Sequence, residues 1–232
     1  MGILEKIRGK IIVSCQGSAE VGNPFHTSDD MLQMAKAAYL GGCVGFRANT
    51  PSHVERIKKY YPDVPMVGIY KVVTKGVPVF ITPTIEEVDV LYGLGCEVIA
   101  IDGTNRVNRN NEKGYEVIRQ TKEKYPNQLV MADLATLEDA RLSLEAGADI
   151  ISTTLSGYTE DTKDKNMTVA DFELITAIRK EFPNAFINAE GRIWTREDVK
   201  QAFEAGADVV TVGTAITNPM MITKRFVDFI SK

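Results

Sequence analysis

The sequence predicts an α/β fold, a single-domain (β/α)8 TIM barrel over residues 1–232, and three observations carry that expectation. Short apolar runs of strand length alternate strictly with amphipathic helical patterns, and such alternation calls for a parallel sheet. Eight units can be counted, which favours a closed barrel over an open doubly wound sheet. Gly42-Cys-Val-Gly-Phe, Gly95-Cys-Glu-Val-Ile, Gly147-Ala-Asp-Ile-Ile and Gly206-Ala-Asp-Val-Val each put a helix-ending glycine directly before a strand. These recur about every 50–60 residues, two units apiece, so four quarters make eight.

The elements follow in order. The first strand is read at 10–15 and its helix at 29–40, ended by Gly41-Gly42. The second strand, 43–47, leads to a helix at 52–60, opened by Thr50-Pro51 as an N-cap with proline at the first helical position. The third strand, 65–70, runs straight into Lys71, and Thr84-x-x-Glu87 is a capping box for helix 86–94. A fourth strand at 97–101 and a helix at 112–124 rest on periodicity. Strand 128–132 precedes helix 137–146, marked by Thr136-x-x-Asp139, and strand 149–153 precedes helix 169–182, marked by Thr168-x-x-Asp171. Strand 185–189 is followed by Thr195-x-x-Asp198 and helix 196–205, and strand 208–212 by Asn218-Pro219 and helix 220–230. No Gly-x-Gly-x-x-Gly follows the first strand, which counts against a dinucleotide-binding sheet.

Composition narrows the function. A net charge of −4 leaves no basic excess for nucleic acid or a membrane surface, although a small anion needs only a few local donors. No apolar run reaches the ~18–20 residues of a membrane span, and the start MGILEKIRGK lacks a signal-peptide core. A soluble, cytoplasmic protein is expected. Cys15, Cys43 and Cys96 are odd in number, widely spaced and next to apolar runs, so buried, inert thiols are expected. The two histidines cannot form a His-rich metal site. His53 is expected on a surface helix, and His26 in a loop after the first strand, open to solvent or in reach of a substrate.

In a barrel of this kind the active site lies at the carboxyl ends of the strands. Those ends read Gln16, Arg47, Lys71, Asp102, Asp133, Thr153-Thr154, Glu190 and Gly213. Taken singly, each has a plain structural reading: Lys71 could extend its ammonium to solvent, and Asp102 or Asp133 could cap a helix or pair with a cation. A ring of a lysine, three carboxylates, an arginine and an amide is harder to read as decoration. A lysine closing a buried strand has a lowered pKa and can carry a proton near neutral pH. Lys71 and Glu190, from strands three and seven, would approach one carbon from different sides, which suits proton abstraction beside a carbonyl. Glu190-Gly191-Arg192 and Gly213-Thr214-Ala215 offer glycine loops where such barrels bind phosphate through backbone N–H groups.

The stretches IVSCQ (12–16), GFRANT (45–50), VGIYK (67–71), VFITPT (79–84), EVIAIDGT (97–104), VMADLAT (130–136), STTLSGYT (152–159), NAEGRI (188–193) and VGTAIT (212–217) together resemble the bacterial N-acetylmannosamine-6-phosphate 2-epimerases of sialic acid breakdown. That resemblance covers nearly the whole chain in the same order. It implies Lys71 as acid/base and Glu190 as its carboxylate partner. It also implies an amino sugar phosphate held by Gln16, Arg47, Asp133 and Thr153, with Gly191, Gly213 and Thr214 at the phosphate. It implies no metal, no organic cofactor and a homodimer. Three places depart from the family pattern. Val72-Val73-Thr74 follows the lysine in place of Arg-Asp-Tyr. The loop Asp102-Gly-Thr-Asn-Arg106-Val-Asn-Arg109 lacks a proline. Asn218 stands before Pro219 where relatives carry an arginine. The alternatives are a Schiff-base aldolase, with Lys71 as nucleophile, and a non-catalytic sugar-phosphate-binding barrel.

Overall fold

Eight parallel strands close into one barrel in sequence order, β1-β2-β3-β4-β5-β6-β7-β8, with β8 returning to β1. The computed structural model describes residues 2–17, 22–165 and 167–231. The strands are β1 (Ile11–Cys15), β2 (Gly45–Asn49), β3 (Met66–Ile69), β4 (Val98–Asp102), β5 (Leu129–Asp133), β6 (Ile150–Ser152), β7 (Phe186–Glu190) and β8 (Val209–Val212). The helices are α1 (Ile3–Ile7), α2 (Ser28–Leu40), α3 (Pro51–Tyr60), α4 (Ile85–Gly93), α5 (Gly114–Lys124), α6 (Leu137–Glu145), α7 (Phe172–Glu181), α8 (Arg196–Glu204), α9 (Thr214–Thr217) and α10 (Pro219–Ile230).

Two apolar clusters form, one on each side of the barrel wall. Outside, Val13, Phe46, Met66, Ile99, Val130, Ile151, Ile187 and Val210 pack under the helices. Inside, Ile12, Val67, Ile69, Val98, Met131, Ile150, Phe186 and Val209 fill the lumen. Successive side chains of a strand point to opposite faces. The inward set therefore runs Val67, Ile69, Lys71 on the third strand and Phe186, Asn188, Glu190 on the seventh. The lower layers are apolar and the uppermost layer is polar. That alternation carries the site residues into the lumen.

Several boundaries differ from the sequence expectation. The second strand is shifted two residues, to Gly45–Asn49, which makes Arg47 a mid-strand residue with an inward side chain. The fourth, fifth and seventh strands each run one residue further and end on Asp102, Asp133 and Glu190. The sixth stops at Ser152, and Thr153 begins a short 3-10 turn instead. Helix α7 starts at Phe172 with Asp171 as its N-cap, because the Asp171 carboxylate already accepts the Leu174 N–H; the box drawn from Thr168 is displaced by three residues. Thr50 does hold the N-cap position of α3, but at φ 71° its hydroxyl makes no cap bond. An unread box, Thr27 with Asp30, opens α2. Helix α1 was not expected: Ile7 belongs to the inner cluster and Ile3 and Leu4 pack against it, so α1 plugs the amino end of the barrel.

The third strand needs one further device. Beyond Ile69 the chain folds back, with an antiparallel bridge between Lys71 and Ile81, Val72 N donating to Phe80 O at 2.9 Å, and Thr82 N donating to Tyr70 O at 3.0 Å. Ile81 thereby joins the inner cluster and braces the Lys71 peptide. Gly68 permits the close β3–β4 packing, since a Cβ there would meet Cys96 Sγ at 2.4 Å. All three cysteines are buried and free, with burial pushing the Cys15 and Cys96 thiols up to about 12. His53 is 7% exposed, not on the surface, because the first turn of α3 faces the barrel; burial lowers its pKa. His26 is exposed, with Nδ1 3.0 Å from Asn23 O.

Candidate active site

At the carboxyl ends of the strands an open cavity of about 360 Å³ is lined by Gln16, Lys71, Thr154, Glu190, Gly213 and Asn218, among others. Lys71 enters it from β3 and Glu190 from β7, four strands apart in a ring of eight, so the two face each other across the mouth. The Lys71 ammonium donates to Gln16 Oε1 at 2.8 Å, and Gln16 Nε2 donates to Ser14 Oγ at 2.7 Å. The Lys71 backbone N–H is held at 2.9 Å by the Asn49 side chain. Burial lowers the Lys71 pKa, with the nearby Arg47 charge adding to the effect against the opposing pull of Glu190 and Asp133.

Beneath the cavity lies a buried ion-pair cluster. The Arg47 guanidinium, 1% exposed, makes a two-pronged contact with Asp133, Nη1 to Oδ1 at 3.1 Å and Nη2 to Oδ2 at 2.5 Å. Nη1 also lies 3.2 Å from Glu190 Oε2. One cation thus serves two carboxylates. Burial therefore dominates at Glu190 and, reinforced by the Asp133 charge, pushes its pKa up to about 7 despite Arg47 and Lys71. A lysine displaced downward and a carboxyl displaced upward across one cavity are a base and an acid suited to exchanging a proton with a bound carbon acid.

The structure separates the remaining sequence candidates. Arg47 and Asp133 form the floor and act through Glu190 and Thr154, which donates to Asp133 Oδ1 at 2.7 Å. Thr153 is turned away from the cavity: its hydroxyl donates to Glu190 O at 3.0 Å and accepts the Glu190 N–H at 3.3 Å, fixing the backbone that carries the carboxylate. Asp102 is closed off, its carboxylate accepting from Arg106 Nη2 at 2.7 Å and from the Thr104 hydroxyl at 2.6 Å, while burial raises its pKa to about 6. Arg109 is likewise spent on Glu87 and Thr84. Gly191, Gly213 and Thr214 line the cavity at the β7 and β8 ends. Arg192 borders the same region, but its guanidinium donates to Val169 O at 2.7 Å and Ser156 O at 2.6 Å. Asn218 caps α10, accepting the Met221 N–H at 3.1 Å, and also lines the cavity.

Sequence reading missed Ser14, Asn49, Asn188 and Thr211, the inner residues that orient the visible ones. A signal existed: Ser14-x-Gln16, Asn188-x-Glu190 and Thr211-x-Gly213 each repeat a polar or small residue at the inward period of two. Among the described residues, no group of three or more His, Cys, Asp or Glu side chains could hold a metal ion.

Residues 31–232 match the NanE family, described as "Putative N-acetylmannosamine-6-phosphate epimerase". The chain belongs to that family. A protein named "Putative N-acetylmannosamine-6-phosphate 2-epimerase" from Caldanaerobacter subterraneus subsp. tengcongensis is 44% identical over 232 residues, covering 100% of this chain and 95% of that one. One of the same name from Clostridioides difficile is 44% identical over 225 residues, 97% of each chain. The solved structure of the N-acetylmannosamine-6-phosphate 2-epimerase from Clostridium perfringens superposes with a TM-score of 0.91 at 38% identity, covering 99% of this chain and 96% of that one.

Proposed function

We propose that this NanE-family chain is an isomerase that interconverts N-acetylmannosamine 6-phosphate and N-acetylglucosamine 6-phosphate by removing and returning the C2 proton. The observation that carries the reading is the opposed pair Lys71 and Glu190 at one cavity, their proton affinities drawn together by burial. Loss of a proton from C2 requires the open-chain aldehyde at C1, which spreads the resulting charge onto oxygen. Neutral Lys71 takes the C2 proton, with Gln16 accepting one of its N–H bonds and leaving the lone pair for the carbon. Reprotonation from the opposite face inverts the centre, and Glu190 stands on that face. Gln16 and Thr154 are among the polar side chains that line the cavity beside the sugar, and the backbone N–H groups around Gly191, Gly213 and Thr214 take the phosphate.

The reaction uses no metal and no organic cofactor, and its place is cytoplasmic amino sugar and sialic acid catabolism. The chain works as a homodimer. Support for the dimer comes from α10: it buries no residue, and Phe226, Phe229 and Ile230 are 73%, 82% and 81% exposed. Nearby, an apolar groove over β1, between α2 and α9, is lined by Ile11, Val13, Met34, Ala38 and Ile216, and a second copy would cover both surfaces.

Proton NMR of N-acetylmannosamine 6-phosphate with the protein in deuterated water tests the reading. Deuterium should enter C2 as the N-acetylglucosamine 6-phosphate signals appear, at a rate unchanged by EDTA. Loss of activity to EDTA with recovery on adding a divalent metal would overturn the cofactor-free mechanism. Trapping of substrate by borohydride would favour an aldolase-type Schiff base instead.

A further inference from the structure

Asn188 lies on β7 two residues before Glu190, and it is completely buried. Its side-chain carbonyl accepts the Thr211 O–H from β8 at 2.8 Å. Its Nδ2 donates to Ser152 Oγ on β6 at 2.8 Å and to Glu190 Oε2 at 3.3 Å. Ser152 Oγ is 2.7 Å from Thr154 Oγ1, and Thr154 donates to Asp133 Oδ1 at 2.7 Å.

Counting protons gives this chain one direction. Asp133 is the acceptor of two Arg47 N–H bonds, and the single Thr154 proton is committed to it. Thr154 must then accept from Ser152, and Ser152, its own proton spent, must accept from Asn188. The amide is therefore fixed with its NH2 toward Ser152 and Glu190 and its carbonyl toward Thr211, which has a proton to give. A flipped amide would aim a carbonyl at the Glu190 carboxylate and leave Ser152 without its donor. Both contacts to the Glu190 carboxylate, from Asn188 and from Arg47, fall on Oε2. Among the described residues, Oε1 has no hydrogen bond or ion pair.

We infer that Asn188 is a positioning residue for Glu190: with Arg47 it pins Oε2 to the barrel floor, so that Oε1 alone is presented to the substrate. The donor chain from Thr211 through Ser152 and Thr154 to Asp133 keeps the amide in that orientation. Asn188 touches no reacting atom; it acts through the carboxylate. The inference rests on the proposed role of Glu190 in proton transfer.

Asn188→Leu keeps similar bulk and removes both donors. The expected result is a fall in kcat of tenfold or more with KM within about twofold, because orientation at C2 changes while sugar and phosphate contacts remain. The alkaline limb of the kcat/KM profile for N-acetylmannosamine 6-phosphate should also move to higher pH, since Glu190 must carry the proton it returns and a carboxylate that loses a donor holds its proton more tightly. Thr211→Val, nearly isosteric, leaves Asn188 in place and frees only its orientation. It should move the same limb in the same direction with a smaller loss of kcat. A folded Asn188→Leu protein whose kcat and pH profile superpose on the wild type would overturn the inference. If that variant does not fold, an unmoved limb in Thr211→Val overturns it instead. Failure of the functional reading is distinguishable: wild-type protein would then show no C2 exchange with N-acetylmannosamine 6-phosphate. Wild-type exchange alongside unmoved profiles in the variants refutes Asn188 alone.

Discussion

Lys71 and Glu190 owe their chemistry to a shortage of cations and of water. Arg47 is a single buried charge divided between Asp133 and Glu190, so Glu190 lies close to the boundary between its two forms. Lys71 is half-buried in the cavity wall, and burial discourages its ammonium. Replacing Lys71 with Met keeps the side-chain length and removes the nitrogen. Turnover and C2 exchange should fall together by at least about a hundredfold, within the range that general acid–base groups contribute, while circular dichroism stays that of the wild type. More than a few per cent residual activity would remove Lys71 from the mechanism. Glu190→Gln should also abolish most turnover, and it has a stability signature. The Glu190 pKa is raised in the folded state from 4.5 to about 7, so the stability gained by burying the neutral carboxyl is fully present below 4.5 and is lost as pH rises through 7. The glutamine variant has no such loss. Its melting temperature should therefore gain on the wild type between pH 5 and pH 8, and parallel melting curves across that range would contradict the assignment.

At the level of elements, alternation and helix starts were legible because they are local. Eight strands and their following helices could be read from apolar runs, glycine stops and capping boxes, and Thr136 with Asp139 and Thr195 with Asp198 form as written. The inward face was not legible. These strands are apolar on both sides, so their sequences carry no visible alternation until the final polar layer. An error of two residues at β2 hid that Arg47 lies inside the barrel, and one residue at β6 put Thr153 in the place that Thr154 occupies. Helix α10 shows how one residue can serve two elements. Asn218 caps its first turn and also borders the cavity beside Gly213. Asn218→Arg should cost about 1 kcal/mol of stability through the lost cap. It should also lower KM for the phosphorylated sugar roughly tenfold with little change in kcat, because a phosphate contact is made equally in ground and transition states. The two effects have separate readouts. A lower melting temperature with an unchanged KM would leave Asn218 as a cap alone.

On the scale of the whole molecule, the barrel is sealed at one end and incompletely covered on one side. Helix α1 closes the amino end through Ile7, in keeping with a lumen that is packed rather than open. On the outer wall, the position after β8 is taken by the four-residue α9, and α10 continues without burying any side chain. The result is an apolar groove over β1, between α2 and α9, and an apolar helix face beyond it. No helix among the described residues is long and apolar enough to cross a membrane. In a two-fold dimer each exposed phenylalanine counts twice, and full burial of one such side chain contributes about 1.5–3 kcal/mol. Phe226 and Phe229 together therefore outweigh the association cost only if both copies bury them. The double variant Phe226→Ser, Phe229→Ser should weaken association on the order of a thousandfold or more. Sedimentation at micromolar concentration should then find the wild type dimeric and the variant monomeric. The Lys71–Glu190 cavity is built from the strands of one barrel, so the monomeric variant should retain C2 exchange if its fold is kept. A wild type that sediments as a monomer at that concentration would mean that α10 is covered by something other than a second copy.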